Sequence, residues 1–563
     1  MIRRWVTALL LASSSVVLGA PSTQPSTPVE IKIDSSKKLG KLLPVWRFFG
    51  ADEPNYAYMK DGEKLIGELG ELSHGNVYFR THNLLCTGDG SPALKWGSTN
   101  AYTENSSGKA VYDWTITDRI FDTYLKHGVR PYVQIGFMPQ ALSPKPEPYQ
   151  HHWRPGDQYA TILGGWAYPP TDYDKWRELV HQWVLHCVDK YGKAEVEQWY
   201  WELWNEPNIM YWQGTPAEYQ KLYDYTVDGV RSALPTARVG GPEVAGGGSR
   251  GGIKFQQDFL EHCLRGTNYA TGKTGTPIDF ISFHAKGSPK FVDGHVQMGI
   301  SNQLNDIDKG FATVAGFPEL KNTPIVIGES DPDGCAACSA EEYPQNNYRN
   351  STHYASYTAA TFGREQDIAE HRGVNFLGAL TWAFEFEDHP IYGGFRTLAT
   401  DGVPLAVLNV FRMFSHMSGD RISAESSGTI PLGTIISRGV RGEPDVSALA
   451  SMDDRKLCVM VWNYHDDEVP GPDADVTLSI GNLPTEKIQL THYRIDEDHS
   501  NAFTEWKKMG SPATPSAEQY QQLMKASALQ TLGEKQAIPP TGGNASVHFS
   551  LPRQGVSLLV FTW

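Results

Sequence analysis

Residues 197–208 run Glu197-Gln-Trp-Tyr-Trp-Glu-Leu-Trp204-Asn-Glu-Pro-Asn208, and residues 324–330 run Pro324-Ile-Val-Ile-Gly-Glu-Ser330. Each is a short, mostly apolar run that closes on a glutamate, Glu206 in the first and Glu329 in the second. Runs this short and this apolar read as strands buried on both faces, the mark of a parallel sheet covered by helices. Six further segments read the same way: 44–51, 76–82, 130–137, 238–243, 279–284 and 377–384. Helical patterns lie between them. Residues 172–190 set Trp176, Leu179, Val180, Trp183, Val184 and Cys187 at three- and four-residue spacings, one packed stripe. Thr215-Pro-Ala-Glu218 supplies a capping hydroxyl, a proline at the first helical position and the glutamate of a capping box. The helical pattern recurs through to residues 404–417. Eight strands alternating with helices over residues 44–417 predict an α/β fold, a (β/α)8 barrel with insertions.

Beyond Gly419 helical periodicity gives way to alternating strands such as 456–462, 475–479 and 556–562, which predict an accessory β-sandwich over 418–563. Within the segment 21–43, the early strand Val29–Asp34 is placed to complete its sheet. Before it, Arg3 and Arg4, the apolar run Trp5–Leu18 and the small residues Gly19 and Ala20 read as a signal peptide over 1–20, followed by a Pro/Ser/Thr tether over 21–28. A secreted or periplasmic protein is expected. No later run approaches the roughly 18 apolar residues of a membrane helix. The formal charge of −15 argues against nucleic-acid and anionic-membrane partners and leaves a neutral substrate, an oligosaccharide, as the expected one. Six cysteines in 563 residues are too few for a disulfide scaffold. Cys187 and Cys263 fall on apolar helical faces and should pack as small hydrophobes. Cys335 and Cys338 form an isolated CxxC, a local disulfide or two free thiols rather than a metal site.

In such a barrel, polar residues at the C-terminal strand ends converge on one mouth. Glycosidic cleavage needs an acid to protonate the leaving oxygen and a second carboxylate on the opposite face of the sugar. The fourth and seventh strands face each other, so Glu206 and Glu329 can approach the roughly 5 Å that double displacement with retention requires. Glu206 is then the general acid/base, with Trp201, Trp204 and Tyr211 as its expected apolar surround, and Glu329 the nucleophile. Asn205 is placed to donate to the sugar 2-hydroxyl. His284 ends the sixth strand and would hold the nucleophile or a hydroxyl; Trp382 would form a platform under the sugar and Phe137 a second apolar wall. Arg80 and His82 would brace the nucleophile, while Glu385 and Glu387 would reach distal hydroxyls. Plainer readings stand beside these: a core histidine for His284, core packing for Phe137, a buried ion pair for Arg80, a solvated acidic run for Glu385 and Glu387. No His-x-His or Glu/His cluster is visible along the chain, so neither metal nor organic cofactor is expected.

With these residues in hand, the chain from about residue 44 onward resembles glycoside hydrolase family 39, the family of bacterial β-xylosidases and lysosomal α-L-iduronidase. The resemblance rests on Arg80-Thr-His82, Asp113-Trp114 with Asp118 and Asp122, Phe137-Met-Pro139, Trp204-Asn-Glu-Pro-Asn208, Ser282-Phe-His284, Gly328-Glu329, Thr381-Trp382 and Gly393-Gly-Phe395. It implies the same roles for Glu206 and Glu329, and a subsite for the non-reducing sugar lined by Asn205, His284 and Trp382. The stretch with Tyr493-Arg-Ile-Asp496 and His499-Ser-Asn501 is similar to the β-sandwich of the bacterial xylosidases. Two features depart from the xylosidase pattern: Gln134 stands where an acidic residue is usual, and the loop from Glu329 to Cys338 has an Asp-Pro like the iduronidase branch. A uronide would call for a cationic clamp, and no Arg/Lys cluster is visible at the strand ends. The expectation is a retaining exo-hydrolase that frees terminal β-D-xylose from xylo-oligosaccharides. The alternatives are the same mechanism on an α-L-arabinoside, β-galactoside or uronide, and a non-catalytic carbohydrate-binding protein.

Overall fold

The computed structural model describes residues 26–145, 165–387, 389–483 and 487–563. The expected signal peptide and the tether up to Pro25 lie outside the described residues. Eight strands close into a parallel barrel: β1 Phe48–Ala51, β2 Val77–Thr81, β3 Val129–Ile135, β4 Tyr200–Leu203, β5 Arg238–Val244, β6 Phe280–Lys286, β7 Ile325–Asp331 and β8 Phe376–Thr381. They are the eight segments read from the sequence. The ring closes where Leu380 of β8 pairs with Phe48 of β1.

Side chains alternate across a strand, so every second residue points to the barrel interior. Phe48, Tyr78, Tyr132, Tyr200, Phe280, Val326 and Leu380 form one buried cluster, a side chain from every strand but β5. One step nearer the mouth, the inward residues are polar: Arg80 two along from Tyr78, Gln134 from Tyr132, Glu202 from Tyr200 and Ser282 from Phe280, all fully buried. An aromatic floor thus carries a polar layer, and the mouth stands on that layer.

Around the barrel, the helix expected over 172–190 spans Tyr173–Tyr191 with the predicted stripe buried. The helix Pro216–Ala233 opens on the predicted capping box, Thr215 and Glu218 each bonding the other's backbone amide. Cys187 and Cys263 are buried free thiols, as expected. No described helix is long and apolar enough to cross a membrane.

The C-terminal region forms a ten-stranded, largely antiparallel sheet. The N-terminal strand Thr27–Lys41 lies inside it, antiparallel to Asp420–Ser426 and parallel to Ala474–Gly481, so Thr27 and Pro28 belong to the sheet rather than to a tether. The sheet curls around its own core. Along Lys456–Tyr464, Leu457, Val459 and Val461 enter that core, while Cys458, Met460, Trp462 and Tyr464 pack into the core of the barrel half. One strand therefore serves two cores. The barrel helix Thr352–Arg372 is buried on almost every side between them. At Gly363 the Trp462 ring comes so close that a Cβ would stand 2.7 Å from it, and Arg364 grips Asp445 through two bonds of 2.7 and 2.9 Å. The region read as strands also holds three helices, Leu432–Arg438, Ala502–Lys508 and Ala517–Ser527.

Candidate active site

The chain leaves β4 through Trp204, Asn205 and Glu206, with Trp204 and Glu206 at φ +68° and +46°. Left-handed backbone at residues other than glycine costs energy and is kept where the surroundings over-determine it. Here the Glu206 amide donates to the carbonyl of Glu243 at the end of β5 (2.9 Å), and Trp204 Nε1 donates to the Tyr211 carbonyl (2.9 Å). The Glu206 carboxylate is thereby turned inward, where its Oε1 lies 2.8 Å from His284 Nδ1 on β6.

Glu329 enters the same space from β7. Its Oε2 accepts from Lys286 Nζ (2.6 Å) and lies 3.7 Å from His284 Nδ1, and its Oε1 lies 3.6 Å from Arg80 Nη1 and 3.7 Å from His82 Nε2. One carboxylate oxygen of Glu206, one ring nitrogen of His284 and one carboxylate oxygen of Glu329 lie within 4.8 Å of one another. A carboxylate oxygen of Glu206 thus lies within 4.8 Å of one of Glu329, a close approach that suits nucleophilic double displacement. Only 16% of the Glu206 side chain and 8% of that of Glu329 meet solvent.

Electrostatics divide the groups. Burial would raise the Glu329 carboxyl, but His284 and Lys286 foremost, with His82 and Arg80, hold it well below the usual carboxylate range. Burial likewise opposes charge on His284, yet the charges of Glu329 and Glu243 and the bond to Glu206 push it up to about 10. Arg80 stays charged despite complete burial, held by Glu202, Glu243 and Glu329. Its Nε donates to Glu202 Oε2 (2.5 Å), its Nη2 to Asn205 Oδ1 (3.2 Å), and its Nη1 lies 3.1 Å from His82 Nε2. Arg80 is thus both the expected brace and a buried ion pair.

The cluster of Glu206, His284 and Glu329 is a Glu/His grouping that the linear sequence hides. Its chemistry does not suit a metal ion: an imidazolium offers no lone pair, and the Lys286 ammonium already occupies Glu329.

Most of the other predicted residues converge on the same mouth. His82 bonds Asp52 through Nδ1 (2.7 Å) and lies beside Arg80 through Nε2; burial lowers its pKa. Trp382 follows β8 directly, its ring 4.3 Å from that of His82 and 5.1 Å from the Arg80 guanidinium carbon. Phe137 stands in an aromatic wall with Trp166 (4.5 Å), Trp204 (5.2 Å), His82 (5.7 Å) and Tyr211 (5.9 Å). Trp201 is not part of that wall. It points away from the barrel interior and packs on Trp183 and Trp199.

Glu385 and Glu387 both accept from backbone amides, so neither belongs to a free, solvated acidic run. Glu387 Oε1 accepts from the amides of Asp61 and Gly62 (2.7 and 2.9 Å), capping a helix, Lys60–Leu72, whose own N-cap residue Met59 offers no acceptor. Glu385 is buried and accepts from the Gly402 amide (2.6 Å), and burial pushes its carboxyl up to about 8. Its charged neighbours are Asp61, Lys64 and Glu387.

Sequence reasoning missed four charged residues of the site. Glu202, whose carboxyl burial pushes up to about 7, and Glu243 lie beneath it, and Lys286 bridges Glu329 and Asp331. Arg396 donates to Asp333 Oδ1 (2.6 Å) and lies 3.4 Å from Asp331 Oδ2. A cationic grouping therefore does exist at the strand ends, contrary to expectation. Cys335 and Cys338 are disulfide-bonded. Their loop is fastened by Arg349, which donates to the carbonyls of Cys335 (2.7 Å), Cys338 (2.6 Å) and Gly394 (3.0 Å), joining the loops after β7 and β8.

Known proteins match this chain over most of its length. A β-xylosidase of Geobacillus stearothermophilus is 27% identical over 435 residues, 74% of this chain and 75% of the relative. An α-L-iduronidase of Mus musculus is 25% identical over 598 residues, 96% of this chain and 82% of that one. The crystal structure of a monomeric β-xylosidase from Caulobacter crescentus CB15 shares the fold with a TM-score of 0.71 and 21% identity, covering 95% of this chain and 99% of its own. The profile of Glycosyl hydrolases family 39 matches residues 29–542. An eight-stranded barrel with two glutamates facing each other across its mouth, a curled C-terminal sheet and that match together place the chain in one family: it belongs to glycosyl hydrolase family 39.

Proposed function

We propose that the protein is a retaining exo-glycosidase that releases terminal β-D-xylosyl residues by double displacement. The observation that carries the mechanism is the approach of Glu206 and Glu329 to within 4.8 Å. In the first step a Glu329 oxygen attacks the anomeric carbon, the bond to the leaving oxygen breaks, and that oxygen takes the proton of Glu206. In the second, Glu206 takes a proton from water, the water oxygen attacks the anomeric carbon, and the ester to Glu329 breaks. Asn205, with Oδ1 bound to Arg80, keeps its amide N–H for the sugar. The low exposure of both carboxylates supports action on a chain end.

For the sugar, the charges of the mouth favour a neutral residue. Arg80 is matched by Glu202, Lys286 by Glu329 and Asp331, Arg396 by Asp333, and Lys95 by Asp52. A substrate carboxylate would compete with partners already seated. The β-xylosidase relative supports the same reading. A second reading, a uronoside, is favoured by Lys286, whose ammonium touches Glu329 while 16% of its side chain reaches solvent, and by the iduronidase relative. A panel of nitrophenyl glycosides, with the first-formed sugar followed by proton NMR, separates the readings. Cleavage of the β-xyloside with β-xylose appearing first is expected; a dead xyloside beside a live glycuronide would move the assignment, and an inverted product would refute the mechanism. We also propose export to an oxidising compartment, which the N-terminal apolar segment and the Cys335–Cys338 disulfide support.

A further inference from the structure

Glu243 closes β5 with a fully buried carboxylate that neither step of the double displacement uses. Its place is specified from several sides. Its carbonyl receives the Glu206 amide at 2.9 Å, and its Oε1 lies 3.0 Å from His284 Nε2 and 3.4 Å from Arg80 Nη2. The carboxylate also fills the space over Gly328, where a Cβ would stand 1.4 Å from Oε1. The residue before the nucleophile is thus a glycine because a third carboxylate lies against it.

The groups facing His284 are Glu206 from the end of β4, Glu243 from β5 and Glu329 from β7, with Lys286 two residues along its own strand. Both ring nitrogens lie close to carboxylate oxygens, Nδ1 in a 2.8 Å hydrogen bond with Glu206 and Nε2 in a 3.0 Å ion-pair contact with Glu243 that is not aligned as a hydrogen bond. A neutral ring has one N–H and would set a lone pair against one of the two anions. Of the three carboxylates, two change charge during turnover: Glu329 becomes an ester as Glu206 gives up its proton. The negative charge moves from one to the other, and His284 Nδ1 stands between them, 3.7 Å from Glu329 and 2.8 Å from Glu206. Only Glu243 keeps its charge throughout.

We propose that Glu243 is a positioning residue for this reaction, the standing counter-ion that keeps both nitrogens of His284 protonated while negative charge passes from Glu329 to Glu206. The inference rests on the double-displacement reading. It makes the Glu206–His284–Glu243 row one unit, in which a buried anion outside the reaction sets the donor that both catalytic carboxylates share.

The test is the pH dependence of kcat/KM of the full chain and of Glu243→Gln, with an activated dinitrophenyl glycoside whose departure needs no proton from Glu206. The wild-type alkaline limb should stay near the value of about 10 set by His284, and in Glu243→Gln it should move down by about 1–3 pH units, the usual effect of one close charge. Glu243→Asp, which keeps the charge, should retain the wild-type limb even where its rate falls. Equal loss at every pH in Glu243→Gln, with the limb unmoved, would overturn the proposal and leave Glu243 a packing residue. A wild-type enzyme inert toward every activated glycoside would instead sink the double-displacement reading itself. Should Glu243→Gln not fold, histidine-15N spectra of the wild type decide: a doubly protonated ring persisting at pH 8.5 is expected, and its absence overturns the inference.

Discussion

Replacing Lys286 by methionine keeps the length of the side chain and removes the one ammonium that touches Glu329. The pair is separated by 2.6 Å, with the lysine side chain 16% and the glutamate 8% exposed. At the effective dielectric of about 20 that suits such sites, two unit charges some 4 Å apart between charge centres interact by about 4 kcal/mol. Its pairing with Asp331 is a separate, additive interaction, so the loss at Glu329 is the full interaction, about 4 kcal/mol or about 3 pH units. The sign follows from the role. Glu329 attacks only as a carboxylate, and the cations around it depress its pKa, so activity in the wild type survives well into acid. Without Lys286 the carboxyl titrates higher, and kcat/KM is lost as pH falls through the raised value. Profiles of kcat/KM from pH 3 to 8 on a nitrophenyl glycoside should show the acid limb of Lys286→Met displaced upward by about 3 units, with the plateau above it less affected. An acid limb that stays in place, beneath a uniform fall in rate, would refute this account of how the nucleophile is kept ionised. A rise in KM confined to a glycuronide would instead assign Lys286 to the substrate.

Two other substitutions address the rest of the site. Glu206→Ala should lose about 10²–10⁴ in rate on glycosides with poor leaving groups and much less on activated ones, and added azide should restore turnover as a glycosyl azide of retained configuration, read by NMR. Gly328→Ala forces Glu243 aside and should cost about 3 kcal/mol of stability in thermal melts, whereas Gly328→Ala with Glu243→Ala should melt above the single variant because the clash is gone.

The barrel was legible because strands covered on both faces are apolar along their length, so that runs such as 325–328 stand out between amphipathic helices. The glutamates were legible because each ends such a run. What stayed hidden is charge inside the strands. Glu202 and Glu243 read as interruptions of apolar segments, yet their partner is Arg80, which lies more than a hundred residues away in sequence. For Lys286 a signal did exist: from His284 the alternation of a strand carries the next inward position to residue 286. The backbone bonds of Glu385 and Glu387 stayed hidden for a related reason, since loop carboxylates look free until the distant amides they accept from are known. In the C-terminal sheet, Ser516 and Gln519 form a capping box that announces the helix Ala517–Ser527, a local cue outweighed by the strands on either side.

The central claim is that Glu329 forms the covalent bond to the sugar. Incubation with an activated 2-deoxy-2-fluoro glycoside of the preferred sugar, followed by proteolysis and mass mapping, tests it most directly, because the fluorine slows release of the intermediate. The account predicts a single glycosylated peptide with the sugar ester on Glu329; an ester on any other residue, or no adduct on an enzyme that turns over the parent glycoside, would contradict it.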